Sequence, residues 1–301
     1  MTTRCILVTG AAGQLGIELA RFGWPAGWQG VVLGRGTLDL ADPAAIAATV
    51  AAGRDGRPWA AVINGAAYTA VDRAENDAVA AWQVNALAPA AFGAACWQTG
   101  IPLVQVSTDY VFAGDKADAW EIDDPVAPLG VYGASKLGGE LAVRTSGARA
   151  AIVRTAWVVS AHGSNFVKTM LRVAAQQDRV RVVGDQRGSP TGAADLARAL
   201  ATIAMRLADD AAAPTGTFHF ANAGAVSWAG FAAEIFRQSA TRGGPSATVD
   251  SIATADYPTQ ARRPANSLLA CTAIQEAYSI APRPWTQALG DILDELIGTT
   301  Q

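Results

Sequence analysis

Arg4-Cys5-Ile6-Leu7-Val8-Thr9, followed by Gly10-Ala11-Ala12-Gly13-Gln14-Leu15-Gly16, is the stretch on which the fold turns. The first six residues make an apolar run of strand length. The next seven carry three glycines at intervals of three and lead into a helical pattern at 14–22. Glycine admits positive φ and close backbone approach, and a helix opening at Gln14 presents free N–H groups to an anion. A glycine-rich turn says little alone, but one with a strand before it and a helix after it reads as a phosphate loop. The spacing here is GxxGxxG rather than GxGxxG. Gly10, Gly13, Gln14, Leu15 and Gly16 are the expected contacts to a dinucleotide pyrophosphate.

Outward from this loop, strand-like runs at 31–33, 60–64, 102–107 and 151–154 alternate with helical stretches. The helices are expected at Pro43–Ala52, 75–98 and 131–144, with Asp42 as N-cap and Pro43 at the first position of the earliest. Such alternation predicts an α/β fold built on a Rossmann-type doubly wound parallel sheet. Beyond 157 the periodicity weakens. Short strands at 180–183 and 217–220 mix with helices at 193–208, 228–238 and Trp285–Ile297 between Gly and Pro breaks. The expected organisation is a dinucleotide-binding domain over 1–157 and a smaller α+β substrate-binding region over 158–301. Elements around 190–222 are expected to return to the first domain.

Composition narrows the classes. The chain has 301 residues, half of them hydrophobic, with 16% charged and a net charge of −3. That argues against disorder and against an electrostatic nucleic-acid binder. The apolar runs read as shorter than the ~18 residues of a membrane span, so no membrane partner is expected. Met1-Thr2-Thr3-Arg4 leads straight into a strand without a signal-peptide layout, which favours the cytoplasm. Cys5, Cys96 and Cys271 lie far apart with no CxxC spacing and read as reduced thiols. His162 and His219 are isolated, so neither a metal cluster nor a Ser-His-Asp triad is expected. Only three of the 23 basic residues are lysines, Lys116, Lys136 and Lys168.

The second strand runs into Gly34-Arg35-Gly36. An acid there would hold the ribose hydroxyls of NAD, whereas a base favours the 2′-phosphate of NADP. Arg35 is a candidate for that contact, or else a solvated arginine. Asp39 and Leu40 fall near the expected adenine position, and Asp39 reads equally as a turn residue. The third strand ends in Asn64-Gly65-Ala66-Ala67-Tyr68-Thr69, where small residues let a cofactor cross the strand ends. Ala66, Ala67, Tyr68 and Thr69 are taken as cofactor contacts, with Val106 on the fourth strand. Tyr132 and Lys136, four apart on one helix, share a face. A lysine ammonium beside a phenol is expected to lower its pKa from about 10, and it can also hold ribose hydroxyls. Tyr132 is then a proton donor. Thr108, at the end of the fourth strand, can hydrogen-bond a substrate carbonyl.

The glycine loop and Tyr-x-x-x-Lys resemble the extended short-chain dehydrogenase/reductase superfamily. Further segments resemble the dTDP-4-dehydrorhamnose reductase family over nearly the whole chain. They are 64–72 (NGAAYTAVD), 107–112 (STDYVF), 131–136 (VYGASK), 154–158 (RTAWV), 165–170 (NFVKTM), 188–191 (GSPT) and 263–267 (RPANS). The resemblance implies reduction of the C4 ketone of dTDP-4-dehydro-L-rhamnose to dTDP-L-rhamnose by NADPH, with NADH accepted by some members. It implies Tyr132 as proton donor, Lys136 as its partner and Thr108 as carbonyl hydrogen bonder. It places the nucleotide-sugar against Thr108, Asp109, Tyr132, Trp157, Asn165 and Arg263. Gly65 and Tyr68 depart from the Ala and His common in the family. Some members dimerise through a magnesium ion held by acids. Glu18 fits one such position, but Ala194 stands where an acid is expected, which argues against a metal bridge. Monomer and homodimer both remain open. Tyr110, standing where a dehydratase carries Glu, argues against dehydration, and Arg35 argues against a 4-epimerase. A reductase of another nucleotide-linked 4-keto sugar, and a non-catalytic NADP-binding regulatory subunit, are the alternatives.

Overall fold

A computed structural model of the chain describes residues 3–298, so the reading of Met1 and Thr2 lies outside the described residues. β1 (Arg4–Thr9), β2 (Trp28–Leu33), β3 (Ala61–Asn64), β4 (Leu103–Thr108) and β5 (Ala150–Thr155) form one parallel sheet with the strand Gly216–His219. From edge to edge the order is Gly216–His219, β5, β4, β3, β1, β2. β3 and β5 are buried along their whole length, as strands covered on both faces must be, and both open as apolar runs that close on polar Asn64 and Arg154-Thr155. The chain order reverses between β1 and β3. Such a reversal opens a crevice at the carboxyl ends of the strands.

α1 (Gln14–Arg21), the helix Ala193–Asp209 and the helix Thr272–Tyr278 cover one face of the sheet. α2 (Pro43–Ala52), the helix Ala78–Thr99 and the helix Val131–Thr145 cover the other. The fold is thus the expected Rossmann-type doubly wound α/β. Asp42 caps α2 as its sequence position implies, accepting from the N–H groups of Ala44 and Ala45 at 2.9 and 3.1 Å.

The long helix differs from expectation in three ways. It starts at Ala78, because 71–74 forms a separate turn. It contains a π turn at Gln83–Leu87, one turn ahead of Pro89. Proline lacks the N–H that the Asn85 carbonyl would accept, and one extra residue in the turn absorbs the mismatch. Gly139 of the neighbouring helix approaches that carbonyl so closely that a Cβ there would lie 2.2 Å from it. The helix also corrects the reading of apolar run length. Its 22 residues are long and apolar enough, by length and composition, to cross a membrane. Its alanines supply that hydropathy, and half of its most apolar window is packed inside the protein.

The remaining helices, Phe166–Ala174, Trp228–Ala240 and Trp285–Ile297, surround a separate core of Phe231, Ile235, Leu289 and Leu293. A parallel strand pair, Arg179–Val183 with Thr248–Ile252, lies against it. The sequence reading assigned no element to 166–174, 248–252 or 272–278.

Candidate active site

A cleft of about 780 Å³ runs along the carboxyl ends of the strands. The glycine loop forms one end. Gly10 has φ +97°, and its carbonyl accepts from the Gly13 N–H at 2.9 Å. A Cβ on Gly16 would lie 2.0 Å from the Gly10 oxygen, so the loop and α1 approach as only glycine allows. This is a backbone nest at a helix N-terminus, suited to a pyrophosphate. Arg35 lies on the cleft wall, exposed, and makes no hydrogen bond or ion pair among the described residues. Asp39 and Leu40 line the same end, and Asp39 accepts from the Ala41 N–H at 2.9 Å as a turn residue would.

Thr108, Asp109, Tyr132, Lys136 and Trp157 meet further along, with Val106 in the wall between. Tyr132 and Lys136 lie on the helix that begins at Val131, and Tyr132 lines the cleft together with Thr108. Thr108 donates to Asp109 Oδ1 at 3.0 Å and accepts from the Tyr110 N–H at 3.3 Å. Lys136 Nζ donates to the Val106 carbonyl at 2.7 Å. The lysine does not lower the tyrosine as its spacing led one to expect. Burial instead pushes Tyr132 up to about 12 and Lys136 down to about 8, with Glu140 partly opposing the fall. Burial also pushes the Asp109 carboxyl up to about 6, which Ser267 and Thr108 only partly offset. Asp109 Oδ2 and Thr155 Oγ1, both buried, have no hydrogen-bond partner among the described residues. Polar atoms left this way at a cleft wall are suited to a polar ligand.

Two features of the site escaped the sequence reading. Glu140, fully buried one turn beyond Lys136, accepts from Ser107 Oγ at 2.5 Å. It also accepts from Arg154 Nε and Nη2 at 2.9 and 2.8 Å. This network ties β4, β5 and the helix of Tyr132 together. An acid inside the apolar run Leu137-Gly138-Gly139-Glu140-Leu141 was the available signal. Asn85, set in the π turn, accepts from the Tyr68 N–H and donates to the Tyr68 carbonyl and Ser135 Oγ. A lone buried Asn in an Ala-rich helix was its signal.

Gly10, Gly13, Gln14, Leu15, Gly16, Ala66, Ala67 and Thr69 all line the cleft. Tyr68, Asn165 and Arg263 do not. The Tyr68 hydroxyl donates to Asp77 Oδ2 at 3.1 Å, away from the cleft. Asn165 caps the helix Phe166–Ala174 and donates to Gln14 Oε1 at 2.9 Å. Arg263 pairs with Asp72 at 2.6 Å while its buried Nη1 has no partner among the described residues. Trp157 holds φ +48°, rare for a bulky residue, and stacks on Trp228 with ring centroids 3.5 Å apart.

The remaining candidates resolve quietly. Cys5, Cys96 and Cys271 are free, and burial pushes the Cys96 thiol up to about 12. His219 is buried beside Arg154 and held neutral, down to about 3. Among the described residues no group of three His, Cys, Asp or Glu is disposed to hold a metal. Glu18 and Glu295 both face His162 at 3.5 Å, and Arg21 bonds Glu295 at 2.6 Å.

Comparison with known proteins agrees over the full length. The family described as "RmlD substrate binding domain" matches residues 3–297. The chain is similar to a dTDP-4-dehydrorhamnose reductase of Burkholderia thailandensis, 43% identical over 97% of this chain and 99% of that one. Among solved structures, a dTDP-4-dehydrorhamnose reductase of Clostridium acetobutylicum superposes with TM-score 0.88 at 34% identity, covering 97% and 99% of the two chains. That of Bacillus anthracis, in complex with NADP, gives TM-score 0.87 at 32% identity over 98% and 100%.

Proposed function

The chain belongs to the dTDP-4-dehydrorhamnose reductase family, and from that premise we propose that it reduces the C4 ketone of dTDP-4-dehydro-L-rhamnose to dTDP-L-rhamnose with NADPH. The observation that carries this reading is the convergence of Thr108, Tyr132 and Lys136 on one cleft with the glycine loop. The loop 10–16 holds the pyrophosphate through its backbone N–H groups, and Arg35 meets the 2′-phosphate. When bound there, NADPH supplies the hydride. Lys136 holds ribose hydroxyls with an ammonium that is charged below about pH 8. Tyr132, pushed up to about 12, keeps its phenolic proton at neutral pH and donates it to the C4 oxygen. Thr108 hydrogen-bonds that oxygen as charge builds on it. Asp109 and Trp157 hold the sugar, and the unpartnered Thr155 Oγ1 offers it a further hydrogen bond.

The test is NADPH oxidation, followed by absorbance, with dTDP-4-dehydro-L-rhamnose generated in situ and the product identified by NMR. Oxidation yielding dTDP-L-rhamnose supports the reading. NADPH binding without turnover would sink it and favour a regulatory subunit or a different keto sugar.

A further inference from the structure

Gln14 opens α1 at the end of the glycine loop, and its side chain reaches across to the segment 158–165. Its Nε2 donates to the Val158 carbonyl at 3.3 Å. Its Oε1 accepts from Asn165 Nδ2 at 2.9 Å and from Ser160 Oγ at 3.2 Å. That segment belongs to the second core, in which Val159 and Ala161 are buried. It is tied into a unit of its own. Asn165 Nδ2 also donates to the carbonyls of Ser160 and His162 at 2.7 and 3.2 Å, and Ser160 Oγ accepts from the His162 N–H at 3.0 Å. At Gly163, with φ +61°, the turn passes so close to the loop that a Cβ would lie 3.3 Å from Gln14 Cγ. Trp157 directly precedes this unit and lines the same cleft as Gln14. Its carbonyl accepts from the Thr191 N–H at 3.1 Å, and Val158–Val159 pairs with Thr191–Gly192. A Cβ on Gly188 would lie 2.5 Å from the indole, so the ring has no slack on that side. A backbone with φ +48° at a tryptophan persists only where its surroundings over-determine it.

We propose that Gln14 is a positioning residue that couples the two ends of the cleft. A dinucleotide seated on the glycine loop fixes Gln14, and Gln14 fixes the strained turn that presents Trp157 to the sugar. The inference rests on the function proposed above. A pyrophosphate that accepts from the loop N–H groups orders the first turn of α1, where Gln14 stands. The segment 158–165 is then held against an ordered partner. A second ligand meeting a segment already ordered loses less conformational entropy on binding, so the two ligands reinforce each other. The side chain suits this task. A primary amide donates and accepts at once, as the Val158 carbonyl and Asn165 Nδ2 require. It does so without charge beside the pyrophosphate, where a glutamate would repel and could not donate to Val158.

Calorimetric titration with dTDP-L-rhamnose, in the absence and presence of saturating NADPH, tests the coupling with a pair that cannot react. In the unaltered chain NADPH should tighten dTDP-L-rhamnose about tenfold, and dTDP-L-rhamnose should tighten NADPH by the same factor. Gln14→Ala should bring both factors below about twofold. Each factor is read within one variant, so a general weakening of either ligand cancels. Asn165→Ser keeps an N-cap for the helix Phe166–Ala174 but has no Nδ2, and should lower the factors likewise. Hydrogen exchange over 158–165 should slow on addition of NADPH alone in the unaltered chain and not in Gln14→Ala. Independent binding of the two ligands to the unaltered chain, or coupling that survives both substitutions, overturns the proposal and leaves the reductase reading standing. Failure of dTDP-L-rhamnose to bind with or without NADPH overturns both.

Discussion

In the proposed reaction, burial gives Tyr132 and Lys136 different parts. The phenol, pushed up to about 12, stays protonated through the physiological range, while the ammonium, pushed down to about 8, is the group whose charge changes near it. Tyr132→Phe should lose at least about 2 kcal/mol of transition-state stabilisation, roughly 30-fold in turnover, with NADPH binding retained. Near-normal turnover in that variant would remove Tyr132 as the donor. Lys136 is charged below about pH 8 and loses that charge as pH rises through it. Turnover and NADPH affinity should therefore fall on the alkaline side of about 8, measured as a pH profile, and stay flat there if the lysine does not hold the cofactor. Arg35→Ala should weaken NADPH more than NADH. Equal losses for both, by fluorescence titration, would take Arg35 out of the site. The shared face of Tyr132 and Lys136 was legible in the sequence because helical spacing alone puts positions four apart on one face. Their electrostatics were not. The sign of each shift depends on burial by β4, β5 and the neighbouring helices, which no local spacing reports.

At the scale of elements, the sharpest constraint is the contact between the glycine loop and α1. Gly16→Ala forces a methyl group to within 2.0 Å of the Gly10 oxygen, so the loop must open. NADPH affinity should fall at least about tenfold, equivalent to about 1.4 kcal/mol, in a calorimetric titration. An unchanged affinity would show that the loop does not bind the pyrophosphate. The strands, α2 and the helix of Tyr132 were readable because caps, proline and apolar runs are local signals. The helix Phe166–Ala174 was not, because its marker was read as a ligand. Asn165 accepts from the Lys168 N–H at 3.2 Å and caps that helix. Thr248–Ile252 stayed hidden because it is five residues long and defined by pairing with Arg179–Val183, far away in the chain. The π turn was hidden for a similar reason. Pro89 advertised an interruption, but its accommodation depended on the helix packed beside it.

For the whole molecule, the parallel sheet joins residues remote in sequence. The strand Gly216–His219 pairs with β5 in register from Ala151 to Arg154. The helix Ala193–Asp209, which precedes it, packs against the core on one face of the sheet. A chain ending before 216 leaves the edge of β5 unpaired, and unpaired edges promote aggregation. Such a fragment should be recovered mainly as insoluble protein, whereas a fragment folding as a soluble, NADPH-binding unit would show that the edge strand is dispensable. The same connection sets a schedule for synthesis on the ribosome. About 60 residues separate the end of β5 from the strand that covers it. At roughly 5–20 residues per second, the nascent chain carries an open sheet edge for about 3–12 seconds, a window in which a chaperone at the exit tunnel would find its target.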